Sequence, residues 1–270
     1  MSGPTIDPEV ADAYARTAAA LPPVRGLVNA PANALELRGE KLVDPTWLAS
    51  RVSQTARIWR CDEARVPATL WWYSASSALL AVPAAMLLST GLAPDPTPER
   101  LTFTLRPDGS VATVRSAGIL RGPEEFADRL RAAMARIIGW LAAVAKMNER
   151  SLWAIATDAI ANRALDAATA LGGPSIGSAL AVRIAERIGA PLLTPRFVDV
   201  VAGEQTFADP GVEPPPGARR FVRRNSCCLL YRSPAVAAAG DPEAAERAKC
   251  VSCPSQLPAL RLARLGALVG

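Results

Sequence analysis

The sequence predicts an α+β fold, mostly helical, with one small antiparallel β-hairpin sheet and a C-terminal segment built around four cysteines. Three observations carry that reading. Proline-led helix starts recur ahead of long alanine-rich stretches, as at Asp7-Pro8-Glu9 and Asp44-Pro45-Thr46. Two short alternating runs, LTFTL and SVATV, flank Pro107-Asp108-Gly109, which is the signature of a hairpin. Four of the five cysteines lie beyond residue 226.

Taken in order, the first helix opens with Asp7 as cap and Pro8 at its first position, and runs to about Ala20. Asp44-Pro45 opens a second, carrying Trp47, Leu48, Val52 and Ile58. Val66 to Pro94 contains no charge and is long enough to cross a bilayer. Ser74, Ser76, Ser77, Ser89, Thr90 and the mid-run Pro83 argue instead for a pair of core helices. A membrane-surface segment is the alternative, and a true span the less favoured one. The hairpin follows a Pro-rich break at 94–98. Gly122-Pro123-Glu124-Glu125 then starts a long helix to about Lys146, and another begins near Asn148. Gly172-Gly173-Pro174-Ser175 stops that one and caps a third, which ends at Gly189 with Pro191 beyond. Residues 190–218 are rich in Pro and Gly, with one short candidate strand at Phe197 to Val201, and read as a connector. The chain therefore divides into a helical α+β part, 1–218, and a cysteine segment, 219–270.

With 270 residues and half of them apolar, the chain can bury a core, which excludes a disordered protein. Histidine is absent. That count removes Ser-His-Asp and Cys-His nucleophilic sites, imidazole bases and His-ligated metals. Five cysteines are too few for a disulfide scaffold. The N-terminus shows no basic region followed by an apolar one, so no secretory signal is expected and a cytoplasmic setting follows. Residues 219–270 hold nine Lys and Arg against three Asp and Glu, while the first 218 are nearly neutral. All the excess positive charge therefore shares a segment with the four cysteines.

Cys227-Cys228 and Cys250-x-x-Cys253-Pro254, with twenty-one residues between the pairs, offer four thiolates to a metal. Such a set suits zinc or an iron–sulfur cluster. Zinc ribbons separate the members of each pair by at least two residues, so the adjacent pair argues against zinc. Side chains of neighbouring strand residues point to opposite faces, so both thiols reach one centre only if the backbone turns sharply. Asn225 and Ser226 tolerate such a turn. Cys61 has charged neighbours and no partner, and reads as an incidental thiol. No G-x-G-x-x-G follows a predicted strand, so no nicotinamide or flavin site is indicated. The glycines at 172, 173 and 177 lack the Lys-Ser/Thr of a phosphate loop and read as a cap. The basic tail has too few interleaved aromatics for nucleic acid.

The pattern Arg-x-x-Cys-Cys-Leu-x-Tyr followed by Cys-x-x-Cys-Pro resembles the FhuF-like ferric siderophore reductases. Ser151-Leu152-Trp153 with Asp158 is similar to a helical motif of that family. The resemblance implies a [2Fe–2S] cluster on Cys227, Cys228, Cys250 and Cys253, and one-electron reduction of siderophore-bound Fe(III). It also implies that the helical part binds the ferric siderophore or a partner. An external donor, a ferredoxin or a flavoprotein reductase, must then supply the electron. The family's spacer between the cysteine pairs is shorter. The extra segment here, around Asp241-Pro242, reads as an inserted surface helix over residues 235–248. Arg219, Arg220, Arg223 and Arg224 are expected to compensate the anionic cluster and attract anionic substrate. Their competing role is a plain solvated face. Two other functions stay open: a ferredoxin-like carrier or iron–sulfur sensor without a siderophore site, and a zinc-stabilised binding module.

Overall fold

The structure, a computed structural model, describes residues 7–29, 34–237 and 241–269. It is α+β, 58% helical and 13% strand, and all its sheets are small and antiparallel. Helix α1 (Pro8–Ala20) starts where Asp7 accepts the Glu9 N–H, and a short α2 (Arg25–Val28) follows. Strand β1 (Glu36–Arg38) precedes α3 (Pro45–Trp59), which Asp44 caps through the Thr46 and Trp47 amides. These Asp-Pro starts form as the sequence predicts, because the carboxylate satisfies amides that have no partner within the helix.

The charge-free stretch forms one helix, α4 (Arg65–Thr90), where a pair was expected. Pro83 lies inside it without ending it. Proline leaves the Leu79 carbonyl without its usual amide, and burial of Pro83 together with its neighbours Val82, Ala85 and Met86, which pack with Val10, Ala13 and Tyr14 of α1, holds the helix together across that gap. By length and composition α4 could cross a membrane, yet half of its most apolar window is buried inside the protein. Strands β2 (Leu92–Pro94), β3 (Leu101–Leu105), β4 (Val111–Ser116) and β5 (Ile119–Arg121) come next. The predicted hairpin is β3–β4, with Leu101 opposite Ser116, and β1 adds to its free edge. A second ladder, β2–β5, closes the base of α4.

Helices α5 (Gly122–Ala145), α6 (Glu149–Ala170) and α7 (Pro174–Ile188) appear close to their predicted limits. The core lies where α4 packs along α6 and α6 along α7. Trp72, fully buried, donates its indole N–H to the Leu152 carbonyl at 2.9 Å, tying α4 to α6.

Residues 190–218 are not merely a connector. Strands β6 (Phe197–Val201) and β7 (Glu204–Ala208) form a hairpin, and β8 (Arg219–Val222) pairs with the other edge of β6. The turn is Ala202-Gly203, both at positive φ, and it lacks the Asn-Gly or Asp-Gly that marks such turns in sequence. One face of this sheet places Phe197 and Val222 in the main core; the other places Val198 and Val200 against Leu265. The 218/219 boundary thus falls at the start of a strand that both parts share. Beyond it come α8 (Pro242–Arg247) and α9 (Pro258–Gly266). The inserted helix is shorter than expected: residues 233–237 form turns, and 238–240 lie outside the described residues.

Candidate metal centre

Two elements bring the cysteines together. The chain leaves β8 at Val222 and runs past the buried end of Asp158, which projects from α6. One carboxylate oxygen of Asp158 accepts the Asn225 N–H at 2.8 Å; the other accepts the Ser226 N–H at 2.9 Å and its hydroxyl at 2.5 Å. The loop before Cys227 is thereby fixed to the helical core. Leu229, at φ +63°, then reverses the backbone, which is the sharp turn an adjacent cysteine pair needs. Cys250 and Cys253 are joined by a tight turn in which the Cys253 N–H donates to the Cys250 carbonyl at 2.9 Å. The buried Gln256 amide donates to that same carbonyl.

The sulfurs meet. Cys227 Sγ lies 3.6 Å from Cys253 Sγ, and the Cys228 thiol lies near enough to both Cys227 and Cys250 to shift their acidity. The contact with Cys228 pushes Cys227 down to about 5 and Cys250 down to about 6, while Cys228 itself is raised. Burial pushes Cys253 up to about 11. Cys61 stands apart, donating to the Trp59 carbonyl beside Ser233, and burial raises its thiol.

Among the described residues no group of three or more Cys, Asp or Glu side chains is already arranged to hold a metal ion. The donor set fits one in kind, number and charge. Metal–sulfur bonds of about 2.3 Å in a tetrahedron set sulfurs about 3.8 Å apart, close to the 3.6 Å between Cys227 and Cys253. Arg224, with its side chain 2% exposed, donates Nη1 to Cys250 Sγ at 3.0 Å. Its Nε and Nη2 have no hydrogen-bond partner, and Nε is 3.6 Å from Asp158. Burial works against this guanidinium's charge, but the negative potential of Tyr73, Cys250, Asp158 and Cys228 outweighs it and raises its pKa. A buried cation with unmet donors beside four thiols is suited to an anionic tetrathiolate centre.

The four arginines expected to act together divide. Arg220 is buried and occupied: its guanidinium pairs with both oxygens of Asp199, its cross-strand neighbour, at 2.9 and 2.8 Å, and reaches the Ser178 hydroxyl. It holds β8 to β6 and α7, so anion attraction is not its task. Arg219 donates to the Leu268 carbonyl and stacks on Phe221. Of these four, Arg223 and Arg224 line a cleft beside the cysteines.

Sequence reasoning missed Tyr73, whose ring lies 4.9 Å from the Arg224 guanidinium, and Gln256. Tyr73 sits in a stretch whose apolar run hides it, so no signal marked it. Two further clefts border the thiols. One, of about 540 Å³ with its open mouth included, places Cys227 beside Ser151, Thr69 and Arg65. The other, of about 740 Å³, places Cys228 beside Trp59, Trp71 and Tyr73.

No protein-family model matches the chain, and no curated protein matches it. Fold and site together define a class: a helical α+β protein whose C-terminal segment gathers four thiols against a buried arginine.

Proposed function

We propose that this is a cytoplasmic ferric-siderophore reductase, an oxidoreductase holding a [2Fe–2S] cluster on Cys227, Cys228, Cys250 and Cys253. The observation that carries the reading is the buried Arg224 with two unmet donor atoms beside the four thiols. When bound, the cluster would supply a one-electron carrier able to convert siderophore-bound Fe(III) to weakly held Fe(II). The protein's own residues do the rest. Asp158 fixes the loop that presents Cys227 and Cys228, and Gln256 fixes the Cys250–Cys253 turn. Arg224 offsets the charge of the thiolates, which favours the more negative, reduced state. Nothing in this chemistry requires a general base, in keeping with a chain that has no histidine. The electron would come from a ferredoxin or a flavoprotein reductase.

Anaerobic purification with visible spectra and iron and sulfide analysis tests the cofactor. Mixing the dithionite-reduced protein with a panel of ferric siderophores tests the activity. A reddish-brown protein with equal iron and sulfide that reduces ferric siderophores is expected. A colourless protein with stoichiometric zinc would make this a zinc-stabilised binding module. Bound cluster without preference among ferric chelates would make it an electron carrier or sensor.

A further inference from the structure

A cleft of about 570 Å³, its open mouth included, shares a wall with the cysteine turn: Ser252 and Pro254, on either side of Cys253, form one side of it. Val198, Val222 and Leu265 give it an apolar floor, and Arg196, Arg223, Arg224 and Arg261 surround that floor. No Asp or Glu lines it. Arg196 donates to the neutral Asn225 amide oxygen at 3.3 Å, and Arg223 stacks on Phe207 at 4.8 Å, so neither partner cancels a charge. Arg224 forms part of the wall with its Nε and Nη2 unpartnered, although its side chain is 2% exposed. Asp158 and Cys250 offset the charge of Arg224, but Arg196, Arg223 and Arg261 pair with no carboxylate among the described residues. Three such guanidinium groups lining one concavity repel each other, and a ligand of opposite charge relieves that repulsion.

We propose that this cleft is the substrate site and that it selects ferric chelates of net negative charge, such as catecholate or hydroxycarboxylate complexes, over neutral hydroxamate ones. The proposal rests on the siderophore-reductase reading. Its volume lies within the range of small-molecule sites, which favours a chelate over a docked protein. Guanidinium forks match paired, charged oxygen acceptors and gain little from an uncharged complex. Arg224 joins the cleft to the thiols, since the same guanidinium lines the cavity and donates to Cys250 Sγ.

Gallium(III) complexes test this without electron transfer, because Ga(III) copies the shape and charge of Fe(III) and is not reduced. Binding of a trianionic gallium tris-catecholate and of a neutral gallium tris-hydroxamate to the anaerobically purified protein is measured by calorimetry at two salt concentrations. The trianionic probe should bind at least about tenfold more tightly, and more weakly as salt screens the cleft. Arg196→Ala and Arg261→Ala should each weaken it about tenfold, with Arg261→Lys losing less. Equal affinity for both probes, or unchanged affinity in both alanine variants, overturns the proposal. So does displacement of the probe by inorganic phosphate at matched ionic strength, which would mark a site for small anions. Loss of acidic-donor binding in the alanine variants with no probe binding would likewise assign the cleft to the donor protein. The reductase reading fails separately, on absence of iron and sulfide.

Discussion

At the residue scale, Asp158 does two tasks with one carboxylate. It binds the Asn225 and Ser226 amides that lead into the cysteine pair, and it faces Arg224 at 3.6 Å. Both groups are buried, so removing one leaves the other's charge and donors without compensation. Asp158→Ala is expected to destabilise the protein by about 3–5 kcal/mol, read from urea unfolding, and to lower the iron content of purified protein. Stability and iron content unchanged from wild type would show that the loop holds itself. Among the cysteines, serine at any of 227, 228, 250 or 253 should abolish or weaken the visible chromophore. Cys61→Ser should leave it intact, since its thiol donates to the Trp59 carbonyl and stands apart from the other four. A chromophore that survives in all four single variants contradicts the proposed ligand set.

At the element scale, the close approach of α6 and α7 depends on Gly177. A Cβ there would fall on the Ala164 carbonyl and the Ala168 methyl group, both in α6. Backbone atoms cannot step aside as a flexible side chain can. Gly177→Ala should therefore cost about 1–3 kcal/mol, seen as a lowered unfolding midpoint, although alanine is the better helix former. An unchanged or higher midpoint would mean that the two helices can separate freely. The spacer helix α8 is the opposite case. No residue of it is fully buried, and the cost of closing the loop between the cysteine pairs depends only weakly on its length. Replacing Glu243, Ala244 and Ala245 with glycine should leave iron content near normal; its loss would make α8 part of the support for the thiols.

At the scale of the whole molecule, the C-terminal segment is not an appendage. Strand β8 covers one edge of β6, and α9 covers the outer face of the same sheet through Leu265. Cutting the chain after residue 218 would expose Val198 and Val200, open an edge of β6, and leave Asp199 buried without Arg220. An exposed strand edge with apolar neighbours favours aggregation. The 1–218 fragment should accordingly be insoluble or elute as aggregate in gel filtration. A soluble monomeric fragment with native helical circular dichroism would show that the division in sequence is also one in stability.

What was readable from the sequence was local in origin. Asp7-Pro8, Asp44-Pro45 and Asn148 mark real helix starts because a cap interacts with amides two or three residues away. The β3–β4 hairpin follows from its own turn and alternation. The two cysteine pairs stood out through spacing alone. Tertiary structure decided the remainder, because the deciding partners are far apart in the chain. Pro83 stays inside a helix through burial that the local pattern cannot show. The stretch 190–218 is more than a connector because β6, already paired with β7, takes β8 from beyond it on its other edge. The four arginines look alike in sequence, yet strand register gives Arg220 to Asp199, while Arg224 turns to Cys250 and Tyr73. Residue type and spacing select which groups can act; burial and pairing across sheets and helices select which of them are left free to do so.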